Sequence, residues 1–436
     1  MTRPETQAGK ARLFANPNFR WLLGGGLLSM LGDQFTLIAL PWLVLQLSGD
    51  ALVLGTVLAV MGVPRAVFIL VGGAIVDRHS PQRVLLLTKL INGALVGLLA
   101  LLVWSGTLQL WMVYGLALGI GLATAFSYPA GSSILPQALP PEALQAANGT
   151  LMALRQLSVL LGPALAGALI VLLAEPGAPP APQQHINDAR GLALAFGFDA
   201  FSFFVSAWTL RQVRLGQRAR PEPVPVLAAI AEAMRFFWRD VELRTLCLYF
   251  AAIGFFVGGP IQVALPVLAQ TQLPGGAASL GLLLAGHGGG VLVGMALSGL
   301  LKGRRLGTLG ATVLAIDACA GLAFLPFGHV HATWQGLALL VPLGALGGFV
   351  QVAVYTWMQQ RIPPAMLGRA MSLFMFIFMG ITPLAAAAAG AALKLLGLAL
   401  LFSASGAALL LIVVLGLLLT PIRRIRDASP APGLAP

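Results

Sequence analysis

Six ionisable side chains inside the long apolar runs of this 436-residue chain are candidates for functional chemistry. They are Asp33, Arg65, Arg155, Asp199, His287 and Asp317. If the runs cross a bilayer, each charge near the midplane costs about 2.5–3.5 kcal/mol on insertion scales, so such groups pair, carry protons or bind polar ligands. The pattern therefore favours proton or ion transfer, or polar substrate recognition, in apolar surroundings.

The elements that carry these residues are predicted to be membrane-spanning helices. The chain is 58% hydrophobic and only 9% charged, with a mean hydropathy of +0.89. The apolar runs are too long for barrel strands, and only helices or closed barrels satisfy backbone polar groups in lipid. We expect an all-α polytopic membrane protein with twelve spans near 19–47, 51–76, 84–104, 108–130, 147–174, 191–213, 244–270, 278–301, 306–328, 333–360, 370–396 and 397–420.

The net charge of +12 is explained by topology rather than by nucleic-acid binding. Most of the 26 Lys and Arg residues fall in segments on one predicted side, whereas the other side holds only Arg190 and Lys394. This is the positive-inside pattern, and basic segments there also attract anionic lipid headgroups. We expect a plasma-membrane protein with both termini cytoplasmic, membrane lipids as partners and no nucleic-acid partner.

Signatures of enzymes are absent from the sequence. The two cysteines, Cys247 and Cys319, offer neither a disulfide framework nor a metal-ligand cluster. There is also no Walker phosphate loop and no nucleophile elbow. We therefore expect no enzyme activity, no cofactor and no bound metal.

The chain is predicted to consist of two similar halves. A cytoplasmic leader, 1–18, precedes a six-span bundle over 19–213, and a linker over 214–243 leads to a second bundle over 244–420 and a cytoplasmic tail over 421–436. An offset of 223 residues superimposes Pro140-Pro141 on Pro363-Pro364, Leu144 on Leu367 and Gly167 on Gly390. A weak repeat of six spans is typical of transporters whose halves rock against each other.

The linker contains a predicted amphipathic helix. Apolar residues recur at helical spacing after the PEPVP segment: Leu227, Ile230, Met234, Phe237, Trp238 and Val241. The pattern indicates a helix in the inner membrane interface that straps the halves, with a regulatory docking helix as the alternative.

A charged turn between the second and third spans has the composition of a conformational latch. It reads GGAIVDRHSPQR from Gly72 and includes Gly73, Asp77, Arg78 and Arg83. A carboxylate is stabilised at a helix N-terminus, and arginines bind helix carbonyl ends or lipid phosphates. The turn could hold the inner face in one state, or its charges could be ordinary solvated turn residues.

The turn resembles the loop signature of the major facilitator superfamily. Five further segments resemble the enterobactin-exporter and macrolide-efflux-like branch of this superfamily. They are Leu31-Gly32-Asp33, PWLVLQLSGD, Pro64-Arg65, Gly162-Pro163 and LGRAMSLFMFIFMGITPL. The resemblance implies two six-helix bundles, alternating access and proton-driven export of amphiphilic molecules. Ser80 departs from the usual loop glycine, and the fourth span lacks the arginine common in proton-coupled drug antiporters.

The fifth span carries a candidate gate. Gly162 and Gly167 permit close backbone approach, and Pro163 removes one helical hydrogen bond. The resulting bend could open and close an outer gate or could be a static kink, since both residue types are common in membrane helices for packing.

Asp33 and Arg65 are predicted to form an ion pair. They lie almost symmetrically about the short turn near residues 48–50, which would bring them to the same depth in antiparallel spans. The pair could act as a proton-linked or substrate-sensing switch, or as a static strut. Arg155 could bind an anionic substrate, Asp33 or a lipid phosphate, or reach the cytoplasmic surface.

The second half offers candidates with less specific patterns. His287 titrates in a useful range but could equally be a packing residue, and Asp317 has a similarly open role. Gln351, Tyr355 and Trp357 could line a substrate cavity. We expect a monomeric secondary exporter of amphiphilic small molecules coupled to protons; a lipid or lysolipid flippase and a non-transporting membrane scaffold or sensor are the alternatives.

Overall fold

The computed structural model describes residues 13–78, 80–173, 188–216, 226–301 and 307–425, and these residues are almost entirely helical. All predicted spans fall on helical segments, with ends that differ by up to eight residues, and the last two predicted spans fall on one long helix. The helices are α1 Pro17–Ser48, α2 Ala51–Arg78, α3 Pro81–Trp104, α4 Leu110–Ala138, α5 Pro141–Leu172, α6 Ala189–Arg211, α7 Val226–Arg239, α8 Val241–Gly259, α9 Leu265–Thr271, α10 Gly276–Leu300, α11 Leu309–Phe324, α12 Thr333–Arg361 and α13 Pro364–Leu419.

The last helix accounts for two membrane crossings. Eleven segments of the described chain are long and apolar enough to cross a membrane, one of them formed by α8, a π-helical turn at Pro260–Ala264 and α9. Helix α13 has 56 residues, about twice the length that a bilayer needs, and is interrupted at Gly397, whose φ of 76° and ψ of 171° are not helical. The break at Gly397 coincides with the predicted boundary between 396 and 397, so the two parts of α13 account for the last two of the twelve predicted crossings.

The N-termini of the helices follow the predicted repeat. Asn16 and Asp240 cap α1 and α8, and the side chain of each accepts hydrogen bonds from the first turn of its helix. Pro141 and Pro364 begin α5 and α13 and are 223 residues apart. The offset that aligned the sequence therefore also aligns the starts of α5 and α13, and the caps of α1 and α8 follow the repeat to within one residue.

The residues group into two compact units. Unit 1 comprises Met1–Gly49 and Val60–Pro223, and unit 2 comprises Asp50–Ala59 and Val224–Pro436. The start of α2 thus packs with unit 2, although the sequence predicted that it belongs to the first bundle. The packing there is close, since a Cβ atom on Gly55 would lie 2.5 Å from the carbonyl oxygen of Ala386.

An ion pair reinforces the same region of unit 2. Asp50 Oδ2 lies 3.0 Å from Lys394 Nζ, and Asp50 Oδ1 accepts a hydrogen bond from the backbone N–H of Leu52. The hydrogen bond from Lys394 lowers the pKa of Asp50 below its ordinary value. The pair is partly exposed, so its contribution to stability is at most about 1 kcal/mol.

The segment predicted to be amphipathic forms α7. The side chain of Phe237 is buried in the core of unit 2, whereas Met234 and Trp238 are exposed. Those of Leu227 and Ile230 lie outside the described residues. The helix is confirmed, and its placement in the membrane interface stays a prediction.

Helices α10 and α12 pack through glycines rather than through large side chains. A Cβ atom on Gly294 would overlap the carbonyl oxygen of Ala345, and one on Gly348 would overlap that of Val291. Gly299, on the same helix α10, has open space around it. This close backbone approach is typical of membrane helices, where small residues let two backbones pack directly against each other without large apolar side chains between them.

The packing makes a quantitative prediction for two alanine substitutions. Gly294→Ala should lower the thermal stability of the detergent-purified protein, because overpacking costs about 1–3 kcal/mol. Gly299→Ala is the matched control and should be neutral or stabilising by up to about 1 kcal/mol, because alanine favours helix. Melting curves followed by size-exclusion chromatography measure both, and equal stability of the two variants would contradict the α10–α12 interface.

Candidate functional site

A row of polar residues on α1 faces α6 in unit 1. Ser29, Asp33 and Thr36 follow one another at helical spacing, with Gly32 between them. A Cβ atom on Gly32 would lie 2.6 Å from Oδ1 of Asp199, so the absence of a side chain there lets α1 and α6 meet. The glycine thereby brings a polar row of one helix against a carboxylate of another.

Asp199 is the most deeply buried acid of this cluster. Its side chain is 1% exposed, and its Oδ2 accepts a hydrogen bond from Thr36 Oγ1. Ser202 Oγ, one turn further along α6, donates to the backbone carbonyl oxygen of Asp199 over 2.7 Å and lies 3.3 Å from Asp199 Oδ1. Both carboxylate oxygens therefore have a hydroxyl group within hydrogen-bonding distance, which offsets part of the cost of burial.

Lys89 supplies the cation of the cluster. It lies in the third turn of α3, and its Nζ donates to Ser29 Oγ on α1 and sits 4.8 Å above the ring centre of Phe203 on α6. The ammonium also interacts electrostatically with both Asp33 and Asp199. One lysine thus connects three helices of unit 1 and is shared by two carboxylates.

The predicted ion pair between Asp33 and Arg65 is wrong. The main packing partners of α1 are α4, α5 and α6, and α2 is not among them, so a short connecting turn did not make α1 and α2 neighbours. The cations near Asp33 are instead Lys89 and Arg155. Arg65 is half-buried, its Nε has no hydrogen-bond partner, and it interacts electrostatically with Tyr128.

Asp33 and Arg155 differ from the rest of the cluster in being exposed. Asp33 on α1 and Arg155 on α5 both present accessible side chains and interact electrostatically with each other. Asp33 was one of three partners that the sequence offered for Arg155. The cluster therefore has a buried end, formed around Asp199, and an accessible end, formed around Asp33.

The candidate gate residues are packing positions in this structure. Gly162, Pro163 and Gly167 are buried on α5, which remains one continuous helix. A Cβ atom on Gly162 would lie 2.5 Å from the Cβ of Gln34, so this glycine allows α5 to approach α1. A gating role of the Gly-Pro pair stays a prediction.

Most of the predicted latch falls beyond what the structure describes in side-chain detail. Gly73, Asp77 and Arg78 are in the last turns of α2, but their side chains lie outside the described residues. Arg83, in the first turn of α3, is exposed. The latch therefore stays a prediction.

In unit 2 the predicted cavity residues separate into exposed and buried ones. Gln351 is exposed on α12, and Tyr355 is half-buried with its hydroxyl 3.6 Å from Met375 Sδ. Trp357, by contrast, is 2% exposed and packs in the hydrophobic core, so it does not line a cavity in this structure. His287 is half-buried, and its Nδ1 has no hydrogen-bond partner among the described residues, so its role stays a prediction.

Asp317 has a single strong partner. Tyr249 on α8 donates its hydroxyl hydrogen to Asp317 Oδ2 over 2.8 Å, and both side chains are buried. No lysine or arginine interacts with this carboxyl group among the described residues. The pair has the features of a helix-to-helix strut.

No metal site is apparent among the described residues, which contain no group of three or more His, Cys, Asp or Glu side chains placed to hold an ion. Cys247 is buried and Cys319 is exposed, and both are free thiols.

Comparison with known proteins identifies the family. The model of the Major Facilitator Superfamily matches residues 22–387. The chain belongs to this superfamily. It is 26% identical over 432 residues to the "Multidrug efflux pump Tap" of Mycobacterium tuberculosis, with 94% of each chain covered.

A second relative and a solved structure extend the comparison. The chain is 24% identical to "Macrolide efflux protein A" of Streptococcus pyogenes, over 81% of this chain and 84% of that protein. A bacterial homologue of the iron transporter ferroportin, solved in an inward-facing state, has a TM-score of 0.66 at 20% identity and covers 92% of this chain and 98% of its own. At that identity the structural likeness concerns the fold, which is the all-α polytopic fold of the superfamily.

Lys89 is the functional candidate that the sequence did not reveal. It was counted with the basic residues of the inner side because it lies near the start of the third span. The available signal was its surroundings, VLLLTKLINGALV, in which a single lysine is embedded in an apolar run. Its partners could not be inferred, because they depend on which helices pack together.

Cysteine accessibility tests the two ends of the cluster. In a Cys319→Ser background, Asp33→Cys should react with a water-soluble methanethiosulfonate reagent because the side chain at position 33 is exposed. Ser202→Cys is the buried control and should resist the reagent, since Ser202 is fully inaccessible. Mass spectrometry of the folded protein measures modification, and labelling of Ser202→Cys as fast as Asp33→Cys would contradict the arrangement.

Proposed function

We propose that the protein is a secondary exporter that moves amphiphilic, drug-like molecules out of the cell in exchange for protons. The observation that carries the proposal is the lysine shared by two carboxylates, Asp33 and Asp199, within a bundle of the major facilitator superfamily. The similarity along nearly the whole chain to proteins named as multidrug and macrolide efflux pumps supports the drug-like substrate class.

The shared lysine suggests how a proton changes the cluster. While both carboxylates are ionised, the ammonium of Lys89 is attracted to each of them. A proton that reaches the accessible Asp33 neutralises one anion, so Asp199 becomes the remaining anionic partner of Lys89. Because Lys89 also binds Ser29 on α1 and stacks on Phe203 on α6, its shift changes how α1, α3 and α6 are held together.

Coupling to substrate follows from the accessible end of the cluster. Asp33 interacts with Arg155, so a bound substrate that engages either side chain alters the cost of protonating Asp33. Linkage requires the converse as well: a proton on Asp33 changes the affinity for substrate by the same factor. A proton and a substrate therefore compete for Asp33, because the two cannot occupy this side chain at once, and this competition exchanges one for the other.

Substrate flux tests the proposed function. Full-length protein in vesicles should move radiolabelled macrolide, or another member of a panel of amphiphilic drugs, against its gradient when a pH gradient is imposed. The drive should disappear when an ionophore collapses the gradient. Drug transport that is the same with and without the pH gradient would contradict proton exchange. Transport of lipid without transport of drug would support a flippase instead.

Variants of two acids separate coupling from structure in the same assay. Asp33→Asn removes the accessible proton site, so pH-driven accumulation should fall to the level of protein-free vesicles. Asp317→Asn is the matched control, because an asparagine oxygen can still accept the hydrogen bond of Tyr249 and no coupling role is assigned to it. Loss of pH drive in Asp317→Asn with its retention in Asp33→Asn would reverse the assignment.

The charged turn is proposed to latch the inner face during this cycle. Asp77→Asn should slow transport while leaving membrane insertion and yield unchanged, because a neutral amide interacts less with a helix N-terminus or a cation. Glu142→Gln, which removes an exposed carboxylate in the first turn of α5, is the control and should transport normally. Transport at the wild-type rate by Asp77→Asn would remove the latch.

A further inference from the structure

The exposed face of α7 combines apolar and basic side chains in adjacent rows. Met234 and Trp238 are 43% and 57% exposed and follow each other at a spacing of four residues. Arg235 and Arg239 form a parallel row one position further along, and both are exposed. On a helix these rows lie side by side, so an apolar edge borders a pair of guanidinium groups.

The opposite side of α7 fixes this face in place. Phe237 is 3% exposed and is buried in the core of unit 2, where α7 packs against α8 and α13. Rotation of α7 would pull this ring out of the core. The exposed rows are therefore set in one direction by the packing of the unit.

A third arginine extends the basic row onto the next helix. Arg244 in the first turns of α8 donates from Nη1 to the carbonyl oxygen of Trp238 over 3.2 Å, and its guanidinium lies 5.9 Å from the Trp238 ring centre. The tryptophan is thus bordered by cations from two helices.

Two of the acids near these arginines, Asp240 and Glu242, are paired with a different arginine. Asp240 Oδ2 lies 2.9 Å from Arg361 Nε, and Glu242 Oε2 lies 3.0 Å from Arg361 Nη1. Asp240 also caps α8 with Oδ1. Glu232 is exposed one turn before Arg235 on α7, but no ion pair joins Arg235 or Arg239 to an acid among the described residues. With three arginines beside this one carboxylate, the face keeps a net positive charge.

We propose that this face, formed by Met234, Arg235, Trp238, Arg239 and Arg244, is a binding site for the headgroup of an anionic phospholipid of the inner leaflet. Trp238 lies two residues before Asp240, the capping residue of a membrane-spanning helix, which places it at the membrane surface, where tryptophan is enriched. The positive-inside pattern puts that end of α8 on the cytoplasmic side, where the surface potential is negative. Guanidinium groups bind phosphate in a bidentate way, while the apolar edge contacts acyl chains.

Lipid binding to the purified protein tests the site without any transport step. The full chain in neutral detergent should bind a fluorescent phosphatidylglycerol more tightly than the phosphatidylcholine analogue. Arg235→Gln/Arg239→Gln should weaken phosphatidylglycerol binding by about tenfold or more, because each basic residue contributes about 1 kcal/mol at an anionic surface. Arg235→Lys/Arg239→Lys should keep most of the affinity, since it keeps both charges.

A matched double variant separates a local site from net charge. Arg423→Gln/Arg424→Gln removes two exposed charges from another inner segment of unit 2 and should bind as the wild type does. Equal losses in the two double variants would overturn the site in favour of general attraction. Unchanged binding by Arg235→Gln/Arg239→Gln would overturn it outright.

Two further arms complete the test. Inorganic polyphosphate that binds the wild type as tightly as phosphatidylglycerol, and loses affinity in the same variant, would assign the face to soluble polyanions and overturn the lipid proposal. Size-exclusion profiles report folding, and the single variant Arg239→Gln, with a smaller expected loss of about fivefold, serves if the double variant does not fold. Because no substrate or gradient is used, the result is independent of whether the protein exports drugs.

Discussion

A carboxylate and an ammonium in apolar surroundings must compensate each other, and this constraint organises unit 1. Asp199 is buried among helices, so it requires hydroxyl partners on two sides and a cation within electrostatic reach. Lys89 meets the last requirement only by reaching α1 and α6 from α3. Electrostatic attraction as well as packing therefore fixes the positions of the three helices relative to one another. A change of charge at one group alters the interactions of all three.

The polar cluster can exist only because small residues let the helices approach. Gly32 leaves space that Asp199 and Ser202 occupy, and Gly162 lets α5 lie against α1 near Gln34. Unit 2 uses the same device between α10 and α12 but places no lysine or arginine against its buried acid, Asp317, among the described residues. Two units with related helix starts thus differ in electrostatics, and this asymmetry is the reason why we propose that coupling resides in unit 1.

The fold could be predicted from the sequence because it depends on local features, apolar runs and helix caps, that recur along the whole chain. Apolar runs set twelve crossings, caps such as Asn16 and Asp240 set helix starts, and Gly397 sets the last break. The cluster could be predicted only in part. Asp33, Asp199 and Arg155 were recognised as ionisable residues in apolar runs, but their partners depend on which helix faces pack, and sequence proximity suggested Arg65 instead. Lys89 was overlooked for the same reason: its environment is formed by helices distant in sequence.

Proton release on substrate binding tests the central claim most directly. Detergent-purified protein in a weakly buffered solution with a pH indicator should release protons when a macrolide that it transports is added at saturating concentration. The account predicts that the wild type acidifies the solution and that Asp33→Asn, although it still binds the drug, does not. Equal proton release by the two proteins would contradict a coupling role for the cluster around Lys89.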